Sequence, residues 1–329
     1  MTRLKRLLRF SVAALTAAAS LGVAVGQATV EDESASGNAL ISRLQGTGLV
    51  LSNPSLTAGA PTQFGLFTSG ASAGLSIDEG IAINTGSVLD QFGPNNADSS
   101  SIAGGGVFSD PDLTAIDGAA VNDVAILEFD ITLDDPATGF AFNYQFGSEE
   151  YPDFVGSGFN DLVAFFVTGP GLPAAQNFAL SPNGSRVRIN NINAGVVGCS
   201  ADGTTTDLTQ SSAYINNGHV TALPGTCQTG AALPGPSPII TEYNGVTQLL
   251  TARATGLIAG QTYRMKIAIA DVGDNQYDSG IFMDLVTAVF QPDFGDAPNT
   301  GGFGDPSHAI DSALRLGTSI SGEDAGSNT

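Results

Sequence analysis

The chain has 329 residues, 32 acidic and 11 basic side chains, a formal net charge of −21 and 42% hydrophobic residues. An excess of negative charge this large repels phosphate backbones and anionic headgroups, which argues against nucleic acid or a membrane surface as partner. Glycine is abundant, at 42 residues, yet the apolar fraction is that of a folding chain, and the length suits one large all-β domain with a tail.

At the N-terminus, Arg3, Lys5, Arg6 and Arg9 precede an apolar run from Phe10 to Val25 that is short for a membrane span and ends in the small residues of AVGQA. This is the pattern of a secretory signal over residues 1–26, with an uncleaved N-terminal anchor as the alternative. Cleavage before Gln27 removes four basic residues and no acidic one, leaving seven against 32 and a charge of −25. No later stretch is long and apolar enough to cross a bilayer as a helix, so no membrane insertion is expected after signal removal.

Residues 27–38 read as a linker. In SASGNALISRLQGTG, Leu40, Ile41 and Leu44 fall at helical spacing and Gly46 closes one short helix. From there the pattern turns to strands. VAILEFDITL sets Leu127, Phe129, Ile131 and Leu133 against Glu128, Asp130 and Thr132, and GFAFNYQF turns Phe140, Phe142, Tyr144 and Phe146 inward. TYRMKIAIAD alternates in the same way through Tyr263, Met265, Ile267 and Ile269. DLVAFFVTG, RVRINNI, TQLLTARAT and GIFMDLVTAVF supply further strands, separated by turns such as DDPATG, TGPG and SPNG. The expected fold is an antiparallel β-sandwich with a core of Phe129, Ile131, Phe142, Phe146, Phe165, Ile267, Ile269 and Met283.

Between Gly195 and Pro238 the periodicity stops and Thr, Ser, Gly, Asn and Pro dominate, as in a long insertion loop. It holds the only cysteines, Cys199 and Cys227, which in an oxidising compartment are expected to form a disulfide that constrains the loop. Free thiols or a metal pair would need further ligands, and His219 alone does not complete a zinc set. Alternation stops again near Gln291, so residues 39–291 form the main domain and 292–329 a linker with an incomplete C-terminal module.

Two loops concentrate acid at strand ends. FGSEEYPDFVGSGFND carries Glu149, Glu150, Asp153 and Asp161, and DVGDNQYDSG carries Asp271, Asp274 and Asp278. If the sandwich brings both to one edge, the carboxylates raise one another's pKa unless a cation intervenes. Calcium is the suitable one, taking six to eight oxygens at about 2.3–2.6 Å in an irregular shell. The expected ligands are Glu149, Glu150, Asn160, Asp161, Asp271 and Asp278, with Asp153 and Asp274 left to solvent. Neither loop has the fixed frame of an EF-hand, and ordinary solvated turns are the plainer alternative.

Catalytic readings fare less well. Glu149 or Glu150 with Asp161 would formally provide the carboxylate pair of a secreted polysaccharide hydrolase, but there is no Trp for a sugar platform. The two histidines lie in the insertion and the tail, a poor foundation for a Ser-His-Asp triad, and SIAGGGVF lacks the Lys of a phosphate loop.

FNYQFGSEEYPDFVGSGFNDLVAFFVTGPG followed by IAIADVGDNQYDSGIFMD resembles the choice-of-anchor L domain, a bacterial exported module of surface proteins. LQGTGLVLSNPS, GIAINTG with GPN, and VAILEFDI match in the same order, so the resemblance runs from about Ala39 to Phe290. The tail DFGDAPNT is similar to the start of a DFGDAP-type repeat that stops early, without a recognisable anchor, so the chain is expected to be a fragment or to be released. The resemblance implies location and architecture and no reaction. The expectation is a noncatalytic, calcium-stabilised extracellular binding or adhesion module for a protein or glycan ligand. A hydrolase or a purely structural spacer is the alternative.

Overall fold

The computed structural model describes residues 26–104, 110–117, 121–172, 175–218, 227, 237–290, 292–293 and 308–309. The expected signal, but for Gly26, and most of the tail fall outside them. The strands are β1 (Thr29–Asp32), β2 (Leu49–Ala58), β3 (Phe64–Thr68), β4 (Gly80–Asn84), β5 (Val121–Leu133), β6 (Gly139–Ser148) and β7 (Leu162–Thr168). They continue with β8 (Gln176–Asn177), β9 (Tyr214–Asn216), β10 (Gly245–Thr247), β11 (Leu250–Thr255), β12 (Thr262–Val272), β13 (Ser279–Met283) and β14 (Thr287–Val289). The helices are α1 (Gly37–Leu44), α2 (Val88–Gln91) and α3 (Pro111–Asp117), two more than expected.

Two antiparallel sheets face each other. One runs β1-β3-β4-β13-β6-β10-β9, with β11 and β14 also pairing with β6, and the other runs β2-β5-β12-β7-β8. The alternation read from the sequence is what packs them together. Phe129 and Ile131 of β5, Phe142 and Phe146 of β6, Phe165 of β7, Ile267 and Ile269 of β12 and Met283 of β13 are all buried in one core between the sheets. Phe165 meets Phe142 and Tyr144 edge-on at ring-centroid distances of 5.0 and 4.8 Å, a geometry that aromatic quadrupoles favour. Helix α1 begins at Ser36, whose hydroxyl accepts from the Ala39 N–H at 3.3 Å, and adds Leu40, Ile41 and Leu44 to this core.

Both outer faces are partly covered. Leu113 of α3 packs with Ile126, Phe166 and Ala268 on one, held there by Lys266, which pairs with Asp110 at 2.6 Å and Asp112 at 2.9 Å. Phe67, Phe92 and Phe282 cluster on the other, with centroids 5.4–5.6 Å apart.

Several segments depart from the sequence reading. Thr29–Asp32, placed in a linker, is strand β1 and pairs with β3. RVRINNI forms only isolated bridges at Arg186 and Arg188 before turning. Its asparagines take up main-chain groups a strand would have used: Asn190 accepts from Gly156 N at 2.6 Å and donates to Ser157 O at 2.8 Å, the competition that makes Asn a turn residue. TQLLTARAT is broken into β10 and β11, and GIFMDLVTAVF into β13 and β14. In the second break the Asp284 carboxylate accepts from both Asn143 N (2.7 Å) and Asn143 Nδ2 (2.9 Å). The insertion contributes more than a loop, since β9 extends the larger sheet through β10 and Ala213 joins the core. Cys199 and Cys227 are joined, with Cα atoms 5.2 Å apart at a sequence separation of 28.

Candidate functional site

The inward faces of several strands end in acid. The last apolar core residues Ala125, Val163 and Ile269 are each followed, two positions further along the alternation, by Asp123, Asp161 and Asp271. Beyond Phe146 the same phase leads through Ser148 to Glu150. The ladders put these ends side by side, with Leu162 opposite Ala270 and Asn122 opposite Asp271. The two acidic loops also meet: Ser148 pairs with Ser279, and Glu149 N donates to Asp278 O at 3.1 Å. The core between the sheets is thus capped at one end by carboxylates.

Glu149, Glu150, Asp161, Asp271 and Asp278 are all 3% exposed or less. Their hydrogen bonding is uneven. Asp161 is served at both oxygens, by Val272 N at 2.9 Å and Ser279 Oγ at 2.7 Å. Asp278 accepts from Ile102 N at 3.0 Å through Oδ2, while its Oδ1 has no donor. Neither oxygen of Glu149, neither oxygen of Asp271, nor Oε2 of Glu150 receives a hydrogen bond of ordinary geometry. The Ser100 main chain beside Glu149 and the Thr85 side chain beside Asp271 pull those carboxyls down, against the larger rise that burial causes. The packing is close: a Cβ on Gly86 would lie 2.0 Å from Asp278 Oδ2, so glycine is required there.

Burial is the chief electrostatic cost. It pushes the Asp161 carboxyl up to about 8 against the pull of its two donors, and Asp278 up to about 7, with Asp90 and Asp123 adding repulsion. Glu149, Glu150 and Asp271 are driven well above the usual carboxylate range, by burial first and then by neighbouring acids. Arg43, Arg264 and Lys266 make their ion pairs elsewhere, with Glu31, Glu128, Asp130, Asp110 and their neighbours.

Of the expected ligands, Asn160 is buried beside the cluster, and its Oδ1 accepts from Asn190 N at 2.8 Å, so it also fixes the turn that interrupts RVRINNI. Asp153 and Asp274 are half-buried. Asp98, Asp123 and Glu242, buried among the same neighbours, were not singled out in the sequence. For Asp123 there was a signal, because it falls on the inward phase of β5. Among the described residues no three carboxylates bring one oxygen each within 4.8 Å of one another. Asp153 approaches Cys199 and Cys227 that closely, but those sulfurs are bonded to each other.

Fold and site define an antiparallel two-sheet sandwich whose core ends in a buried, oxygen-rich acidic cluster. The chain belongs to the choice-of-anchor L domain family, whose model matches residues 29–287 and so begins with β1 rather than at residue 39. A solved structure, TmCBM61 in complex with β-1,4-galactotriose, overlaps it at 8% identity and a TM-score of 0.27, covering 79% of this chain and 98% of that one. An overlap so loose carries no argument about this chain's ligand. No curated protein matches the chain. Among the described residues no helix is long and apolar enough to cross a membrane.

Proposed function

We propose that this chain is a noncatalytic extracellular binding or adhesion module, secreted or displayed at a cell surface, with calcium among its buried carboxylates stabilising one end. The observation that carries the calcium reading is the pair Glu149 and Asp271, each 1% exposed with no donor of ordinary hydrogen-bond geometry on either carboxylate oxygen. An ionised carboxylate taken out of water without a partner costs several kcal/mol even after relaxation. A proton or a cation removes that cost, and at neutral pH and millimolar extracellular calcium the cation is the economical solution. The donor set is all oxygen, which suits a hard ion whose shell is irregular and completed by water. Glu149, Glu150, Asp161, Asp271 and Asp278 supply carboxylates, and Asn160 supplies a carbonyl.

The family and the N-terminal signal pattern support the extracellular setting. The same burial weighs against the hydrolase. Its carboxylates would have to flank a sugar, yet Glu149, Glu150 and Asp161 are 1%, 1% and 0% exposed. A surface of this charge favours neutral or basic ligands, protein or glycan, over acidic ones.

Metal analysis of the purified protein, together with melting in calcium and in chelator, tests the calcium reading. Bound calcium and a higher melting temperature in its presence are expected. Metal-free protein with superimposable melting curves would remove calcium from the proposal. Immobilised extracellular proteins and polysaccharides test the binding role, and failure of every one to retain the calcium-loaded protein would leave the spacer reading.

A further inference from the structure

An open cavity of about 380 Å³ lies between the segment that follows α2 and Glu242, and Gln27 stands on its wall. Asp90 and Glu242 share that wall, and no lysine, arginine or histidine lines it among the described residues. Glu242 is 8% exposed, and its Oε1 accepts from Ala97 N at 3.0 Å. Asp90 Oδ2 is enclosed without a hydrogen bond. Burial raises both carboxyls, and Asp90 adds repulsion at Glu242. Behind the wall the charge has the same sign, since Glu149 feels Glu242 and Asp278 feels Asp90. Every charged side chain that faces the cavity is acidic.

Gln27 is held there from its C-terminal side. Ala28, 6% exposed, belongs to the apolar cluster of Phe67, Phe92, Tyr243 and Phe282, and Thr29 begins the pairing of β1 with β3. Phe92 itself lines the cavity. A Cβ on Gly93, another wall residue, would lie 3.8 Å from Gln27 Nε2. The main-chain nitrogen of Gln27 is thus one residue from a buried anchor. In the sequence this nitrogen is also the expected product of signal cleavage. Hydrolysis of the Gly26–Gln27 bond by a signal peptidase adds one water, leaving a carboxylate on Gly26 and an amine on Gln27. With an ordinary pKa of about 7.7–8.0, that amine takes up a proton at neutral pH. The cut therefore delivers a positive charge to a wall whose charged groups are all negative.

We infer that the α-ammonium group of the mature N-terminus at Gln27 enters this cavity and pairs with Asp90 and Glu242. The inference rests on the secretory reading above and is independent of calcium. The buried anchor at Ala28 makes the pairing intramolecular, so the ammonium is present at high effective concentration. Before processing, the same nitrogen is a neutral amide, and export therefore completes the electrostatics of this face. The pairing also guards the terminus. A free N-terminal glutamine cyclises when its amine attacks its own Cδ and expels ammonia. An amine kept protonated by two carboxylates has no lone pair for that attack.

Intact-mass analysis of the exported protein, followed by NMR titration of its α-amine tagged with isotope-labelled formaldehyde, tests this directly. The expected mass is that of a chain beginning at Gln27 without loss of ammonia. The α-amine should hold its proton about tenfold more tightly than the ordinary pKa of about 7.7–8.0 implies. Asp90→Asn and Glu242→Gln should each return it towards that range and speed cyclisation of Gln27. Circular dichroism checks that each variant is folded, and should Glu242→Gln unfold, the half-buried Asp90→Asn carries the comparison alone. A chain cut elsewhere, a cyclised Gln27, or an α-amine that titrates in the ordinary range and is unmoved by Asp90→Asn overturns the inference and leaves secretion standing. An exported chain that keeps residues 1–26 sinks both.

Discussion

Replacing Asp271 with asparagine should move the melting temperature in opposite directions with and without calcium. In chelator the wild-type side chain is an acid at 1% exposure whose ionised form is disfavoured by burial first and then by Asp161 and Asp278, with no donor of ordinary geometry on either oxygen. The amide keeps the shape, removes the charge and brings an N–H that can donate to those neighbours. A buried charge left uncompensated costs about 3–5 kcal/mol, and the amide relieves the part of that cost which protonation of the acid has not already removed. At about 2–4 °C per kcal/mol for a domain this size, the variant should melt roughly 5–10 °C higher than wild type. With free calcium a hundredfold above the dissociation constant, wild type gains about 2.7 kcal/mol by mass action, and the variant loses most of that gain. Thermal melts followed by near-ultraviolet circular dichroism, in excess chelator and in saturating calcium, would show the order of the two proteins reversed. A variant less stable than wild type in both media would refute the reasoning, because Asp271 would then be serving the fold through something other than a compensated charge.

In chelator, stability should fall as pH rises from about 4 to 8. Asp161 and Asp278, pushed up to about 8 and about 7 when folded, hold protons that the unfolded chain releases near 3.8, so their contribution is full below that value and lost as pH climbs through the folded ones. Melting temperatures across this range would show it, and a flat or rising profile would contradict it. Cys199→Ser should cost roughly 3–4 kcal/mol from loop entropy alone, since the bridge spans 28 residues. Urea titration would measure that loss, and a change under 1 kcal/mol would mean that the unfolded insertion is already constrained.

The sandwich was legible because its central strands have one buried face. Phe129 and Ile131, or Ile267 and Ile269, alternate with polar neighbours, and period two has no other economical explanation. β2 was less legible, because Asn53 and Pro54 interrupt it. The structure accommodates them with a register shift between Ser52 and Ser55, where Asn53 takes φ 51°. Val187 and Ile189 are buried as a strand pattern demands, yet asparagine side chains intercept the ladder around them, and no periodicity reveals a side-chain hydrogen bond. The acidic loops stood out by composition. Their burial did not, since it depends on which strand ends lie side by side. Glu242 is the sharpest case: it enters the cluster from a segment remote in sequence from both loops.

Strand β6 has an unusual dependence on distant sequence. One edge is lined by β10 and β11, the other by β13 and β14, so every partner of Gly139–Ser148 comes from residues 245–289. Likewise β5 and β7 share β12. A ribosome that has made the first two hundred residues has therefore produced β6 with no neighbour to join, and β5 and β7 paired only on their outer edges, with β2 and β8. Pairings that close loops of a hundred residues form late and slowly. The domain stays a threadable, protease-sensitive chain until its last quarter emerges, and only then can the two sheets close.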